Sequence, residues 1–193
     1  LGKLFYYDVS VKWRRDNKYY KNSYWHGTKK LDGNILANQG SHHLDLAISI
    51  FGRPKKIQYV SKKVKKFIEF SDVVSLNLQH KDAIGNIRIT TSTEPEDLEG
   101  KLTIMGTKGF IRIGGFQMNQ IEKIKVKNKS FSKKIIKKNS ENLSDVYGRN
   151  HSEVYYFIKK YLSNTRDKKI KKLAKEYIDD AFETVKVFEK IKR

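Results

Sequence analysis

Residues 38–54 read NQGSHHLDLAISIFGRP, and this stretch decides how the chain is divided. Leu44, Ala47, Ile48 and Phe51 recur at the spacing of one helical face, and Gly52 followed by Pro54 stops the pattern. A helix over 38–51 is expected, capped by Asn38 or Ser41. Its first turn is crowded with polar groups, a common place for a binding site. Upstream, residues 4–13 (LFYYDVSVKW) are aromatic and β-branched and read as a strand, and residues 14–30 lack any period and read as a long loop.

Downstream of Pro54 the period changes from helical to alternating. Strands are expected over 56–64, 72–80 and 86–93, the last two joined by a turn at 81–85. Residues 100–105 and 109–113 flank Gly106-Thr107-Lys108-Gly109, a hairpin signal, and 120–127 supply one more strand. Residues 130–142 are rich in Lys and Ser and read as exposed. A helix over 150–162 places Val154, Phe157, Ile158 and Tyr161 on one face. After a break at 163–167, a last helix over 172–191 turns Leu173, Tyr177, Ala181, Thr184, Val185 and Phe188 inward. One helix, a run of strands and two helices predict an α+β domain over 1–193: an open, mostly antiparallel sheet with helices on one face.

Composition bounds the function classes. The chain has 193 residues, is 38% hydrophobic and carries 11 Tyr and 10 Phe, which excludes a disordered chain. It has no Cys, so disulfides and thiolate metal sites are excluded and a reducing, cytoplasmic setting is expected. No run reaches the roughly 20 apolar residues of a membrane helix, and no signal-peptide pattern opens the chain. The formal net charge is +20 and comes mostly from Lys, scattered in runs such as residues 62–66 and 168–172. A solvated surface, attraction of an anionic substrate and nucleic-acid binding are all open on charge alone. The scarcity of Arg argues against a phosphate- or base-gripping surface.

Candidate chemistry concentrates in residues 25–45, WHGTKKLDGNILANQGSHHLD. Asp32-Gly33-Asn34 signals a turn. Asn38 and His42 stand four apart, the spacing of one helix face, and Asp45 stands three beyond His42, close enough to orient its imidazole. A His that titrates near neutrality can exchange a proton with a hydroxyl. A capping Asn38 with a packed His42 satisfies the same spacing. No Cys and no HExxH arrangement accompany His42-His43, so no metal is expected.

Gly33, Leu36, Asn38, Gly40, His42, Asp45, Gly52 and Pro54 together resemble the signature of the C-terminal domain of the Gfo/Idh/MocA oxidoreductases. The resemblance extends to residues 1–4, 72–74, 98–109 and 147–151. Trp13-Arg14-Arg15, Tyr19-Tyr20, Trp25-His26-Gly27-Thr28 and Asn38-Gln39 are similar to the UDP-N-acetylglucosaminuronate 3-dehydrogenases within that family. Asn34 departs from it where many members carry Gly, and His26 where the group often has Arg.

The resemblance implies the substrate-binding half of an NAD- or NADP-dependent dehydrogenase that oxidises a hydroxyl of a sugar or nucleotide-linked sugar. His42 would move the hydroxyl proton beside a Lys of a separate cofactor domain, and Asp45 would support His42. Asn38 and Gln39 would hold the sugar, Arg15 would suit a carboxylate or diphosphate, and Trp25 and His26 would approach the cofactor. Tyr147 and His151 would line the substrate mouth or pack before the helix. No GxGxxG and no Glu-Lys-Pro is present, so the dinucleotide-binding Rossmann domain is expected elsewhere. This half alone should neither hold the cofactor nor turn over. A homo-oligomer is expected through a free sheet face carrying Val, Ile and Phe. The alternatives are a basic nucleic-acid-binding module, which no RNP, helix-turn-helix or zinc pattern supports, and an inactive oligomerisation scaffold.

Overall fold

A computed structural model describes residues 1–115, 118–127, 151–163 and 167–191. The chain divides into two compact units, Leu1–Asn142 and Leu143–Arg193. The first holds strands β1 (Leu4–Lys12), β2 (Lys56–Lys62), β3 (Val73–Gln79), β4 (Ile84–Thr90), β5 (Glu99–Gly106), β6 (Gly109–Gly114) and β7 (Gln120–Val126). They form one open sheet in the order β2-β3-β4-β1-β5-β6-β7. Every neighbouring pair is antiparallel except β1 and β4. A parallel pair needs a long crossover. Here it includes α1 (Asn17–Lys21) and α2 (Ser41–Phe51), the latter entered through a π-helical turn at Leu36–Gly40.

Register separates the two sheet faces. Val9 pairs with Ile87 and Leu102, Val11 with Ile89, and Leu76 with Ile87, and all of these side chains are buried. α2 lies on that side, with Leu44, Ala47 and Ile48 buried and the Phe51 ring stacked on Tyr7 at 4.4 Å. Burial of each such aliphatic side chain stabilises by about 1.5–3 kcal/mol. The alternate positions of the central strands are polar, contrary to the expected Val, Ile and Phe. Asp8 pairs with Arg88 at 2.6 Å, while Lys12 and Ser10 both donate to Glu99 at 2.7 Å. Burial would raise the Glu99 carboxyl, but hydrogen bonds from Lys12, Ser10 and Lys101 hold it down at about 2. The period of two sends the apolar residues to the helix side and leaves the paired charges outside.

One arrangement ties α2 to the sheet. Gly85 pairs with Tyr7, and a Cβ at position 85 would lie 1.8 Å from the Tyr7 ring. The ring therefore occupies the place of the missing side chain. The Nδ1–H of His80 donates to the Gly52 carbonyl at 2.7 Å, leaving Nε2 to accept from the Tyr7 hydroxyl at 2.9 Å. Burial raises the Tyr7 phenol and lowers the His80 imidazole, the latter against the hydrogen bond it donates to the Gly52 carbonyl. Both groups are thus held neutral at pH 7.

Several boundaries differ from expectation. α1 interrupts the predicted loop because Asp16 caps it, accepting from the Tyr19 N–H at 2.9 Å. β4 begins at Ile84, so the turn is shorter than 81–85, closed by the His80 N–H on the Ala83 carbonyl. Asp72 lies outside β3 and is fully buried. Its carboxylate accepts from the N–H groups of Val64 and Lys65 and from the Ser92 hydroxyl, which ends β2 at Lys62 and bends the chain back.

The second unit holds α3 (His151–Ser163) and α4 (Lys168–Ile191). α4 starts four residues earlier than the predicted 172 because Asp167 accepts from the N–H groups of Lys169 and Ile170. Phe157 and Tyr177 meet edge to face at 5.6 Å. Val154, Ile158 and Tyr161 are exposed; of the residues expected inward on α4, Tyr177 and Val185 are exposed, while Thr184 is buried, as is Val187.

Gly85→Ala should lower the unfolding free energy by about 3 kcal/mol, seen as a lower urea midpoint at unchanged slope. Stability should also fall on acidification. His43 is buried, and desolvation together with the neighbouring His42 lowers its imidazole to about 4; His80 is lowered as well. The unfolded chain then binds more protons than the folded one between 6.5 and 4. Urea titrations should give constant stability from about pH 7 to 9 and a progressive loss as pH falls from 6.5 towards 4.

Candidate functional site

The loop between β1 and α2 is organised by one buried carboxylate. Gly27 has φ of 77°, a conformation costly for any residue with a Cβ, and its N–H donates to Asp32 Oδ2 at 2.6 Å. Asn38 donates its Nδ2 to Asp32 Oδ1 at 2.5 Å. Asp32 thus joins the start of the loop to the helical entry, and it is buried. The sequence marked Asp32 only as a turn residue.

Asn34, and not Asn38 or Ser41, caps the helical entry. Its Oδ1 accepts from the N–H groups of Leu36 and Ala37, both at 2.9 Å. The cap starts a π-helical turn rather than an α-helical one, and such wider turns concentrate at functional sites. Asn38 and Gln39 sit in this turn, and His42 follows in the first turn of α2.

The predicted residues meet along a band of rings. The guanidinium carbon of Arg15 lies 5.2 Å from the Trp13 ring centre and 5.3 Å from that of Tyr19. Tyr19 stacks on His26 at 4.4 Å with 10° between planes, and Trp25 meets His26 edge-on at 4.0 Å. Gln39 Nε2 donates to the Tyr19 hydroxyl at 3.3 Å. On the other side Trp13 approaches His43 at 6.1 Å, and His43 meets His42 at 5.3 Å. A continuous path of contacts therefore runs from His42 to Trp25. Trp13, Tyr19 and His43 are the links that the site reading of the sequence left out, although Trp13 and Tyr19 stand in the aromatic motifs flanking Arg15.

Electrostatics distinguish the members of the band. Arg14 is committed to Asp16 at 2.9 Å and Glu94 at 2.8 Å. Arg15 donates to the Arg14 carbonyl at 2.8 Å and faces Asp97 at 3.6 Å, leaving more of its fork available to an anion. Partial desolvation lowers the His42 imidazole, and the Asp45 carboxylate opposes that shift. His42 is exposed and neutral at pH 7, able to take up a proton. Tyr19, Asp32, Asn38 and Gln39 line an interior void of about 10 Å³, room for one water, so any ligand of sugar size lies outside it.

Two predicted residues belong to the second unit. Tyr147 lies outside the described residues. His151 is the exposed first residue of α3 in the second unit. Among the described residues no group of three His, Cys, Asp or Glu could hold a metal, and no helix is long and apolar enough to cross a membrane. A dinucleotide needs a glycine-rich turn whose free N–H groups face its phosphates. The helical entry after Gly33 does not fit that need, because Asn34 already occupies the N–H groups of Leu36 and Ala37.

A sequence profile of the GFO/IDH/MocA C-terminal domain matches residues 1–112. The WlbA dehydrogenase from Bordetella pertussis, solved with NADH and UDP-GlcNAcA, superimposes with a TM-score of 0.75 at 30% identity, over 83% of this chain and 47% of that one. The WlbA dehydrogenase from Chromobacterium violaceum, solved with the same two ligands, gives 0.72 at 30% identity, over 83% and 45%. An oxidoreductase from Thermotoga maritima shares the fold, with a TM-score of 0.66 at 18% identity over 99% of this chain and 52% of that one. No curated protein matches the chain. The chain spans about half the length of these proteins. In sequence and in fold, it belongs to the GFO/IDH/MocA C-terminal domain family.

Proposed function

We propose that this chain is the sugar-binding, proton-transferring half of an NAD- or NADP-dependent dehydrogenase acting on a nucleotide-linked sugar such as a UDP-N-acetylhexosaminuronic acid. The observation that carries the proposal is the contact path joining a neutral, exposed His42 to a ring-flanked Arg15, beside the amide-bearing turn of Asn38 and Gln39. A sugar acid needs these groups together: a base at the hydroxyl, amides at its neighbours and a planar cation at its carboxylate or diphosphate. The two 30%-identical dehydrogenases solved with UDP-GlcNAcA support the substrate class.

In this reading His42 takes the hydroxyl proton onto its imidazole, and Asp45 stabilises the imidazolium that results. Asn38 and Gln39 orient the ring, and Arg15 grips the anionic end. Trp25 and His26 wall the side towards the cofactor, and the dinucleotide is held by another domain of the complete protein. The nicotinamide supplies the hydride acceptor. The polar central face of the sheet, with its Asp8–Arg88 and Lys12–Glu99 pairs, is offered for self-association.

In the full-length protein assayed with NAD and UDP-N-acetylglucosaminuronic acid, His42→Ala should lower kcat by about 10²–10⁴. Arg15→Ala should mainly raise KM. Unchanged kcat in the first variant would sink the assignment, and so would strongly salt-dependent nucleic-acid binding indifferent to His42. Because the His42 pKa lies below 6.5, the acid limb of kcat/KM should fall below that value. Asp45→Asn, which removes the charge that raises it, should move the limb lower still.

A further inference from the structure

We infer, on the sugar-hydroxyl reading above, that Asp32 is a positioning residue that fixes which end of the Asn38 amide a ligand meets. Asp32 is buried, and its carboxylate has two oxygens with two donors: the Gly27 N–H at 2.6 Å and Asn38 Nδ2 at 2.5 Å. An ionised carboxylate only accepts, so it can face only the NH₂ end of Asn38. The reversed amide would set two oxygens against each other at hydrogen-bond distance, in a buried place where such a clash is costly. Among the described residues nothing donates to Asn38 Oδ1, and Asn38 is only partly buried.

The site therefore presents an acceptor at position 38. It selects ligands that donate a hydrogen bond there, as a ring hydroxyl does and a fluorine or an ether oxygen does not. Asp32 touches no ligand in this scheme; it sets the polarity of the residue that does. Gly27 takes part in the same device, because its N–H saturates the second carboxylate oxygen and keeps Asp32 from turning away.

Asp32→Asn tests this directly. Its own Oδ1 can still accept from Gly27, which preserves the loop, while its NH₂ now faces Asn38 and turns that amide round. Binding is measured on the full-length protein with UDP-N-acetylglucosaminuronic acid and with its analogue bearing fluorine in place of the ring hydroxyl next to the reacting one. The native protein should prefer the hydroxyl by about tenfold or more, and Asp32→Asn should narrow the preference to about twofold. If the variant weakens both ligands equally and keeps the ratio, Asp32 is merely structural and the inference falls. If the native protein binds neither ligand, the sugar reading itself fails and takes the inference with it. Should the variant not fold, ¹⁵N-labelled native protein decides. The Asn38 amide proton bonded to Asp32 should stay protected from solvent exchange when the sugar binds, and loss of that protection on binding would overturn the assignment.

Discussion

The ring of Tyr7 fills the space that a side chain at position 85 would claim, and much of the first unit depends on that exchange. With the ring seated over Gly85, the hydroxyl reaches His80 and His80 reaches the last turn of α2 through the Gly52 carbonyl. Phe51 then stacks on the same ring. The β1–β4 pair, the one parallel contact of the sheet, is thereby connected to the helix that carries His42. Every polar atom in that chain is satisfied, which is the condition for burying a phenol and an imidazole without a large loss of stability.

A second buried polar group organises the other end of α2. Asp32 holds the Gly27 N–H and the Asn38 amide, while Asn34 holds the first free N–H groups of the helical entry. The entry is wound as a π turn between these anchors. Both ends of the segment bearing Asn38, Gln39 and His42 are thus fixed by hydrogen bonds as well as by the apolar packing of Leu36, Leu44, Ala47 and Ile48. Hydrogen bonds are directional, so they set the orientation of an amide or an imidazole more closely than packing does. That suits a place where proton transfer and hydroxyl recognition need fixed geometry.

The charge of +20 finds no single focus among the described residues. Arg14, Lys12, Lys65 and Arg88 each have a carboxylate within 4.0 Å. Arg15 differs because two aromatic rings flank it. A guanidinium is planar by delocalisation, and flanking rings hold its fork in one direction, which makes it suited to an anionic ligand.

Sequence alone determined the α+β order, the strands and most of their ends, because alternation and helical periodicity are local properties of the chain. It also marked His42, Asn38 and Arg15, since their spacing and motif are written in neighbouring residues. It misjudged the cap, because Asn34, Asn38 and Ser41 are chemically equivalent candidates and only the backbone path shows whose oxygen faces the free N–H groups. It expected an apolar open face, because alternation tells that two faces differ without telling which one a helix covers. Asp72 read as the first residue of a strand and Asp32 as an ordinary turn residue. Burial turned them into anchors, and burial depends on elements brought together from distant parts of the chain. The band from His42 to Trp25 was likewise decided by tertiary structure, since its members come from the end of β1, the loop and α2, and only the seating of α2 on the sheet brings their rings into contact.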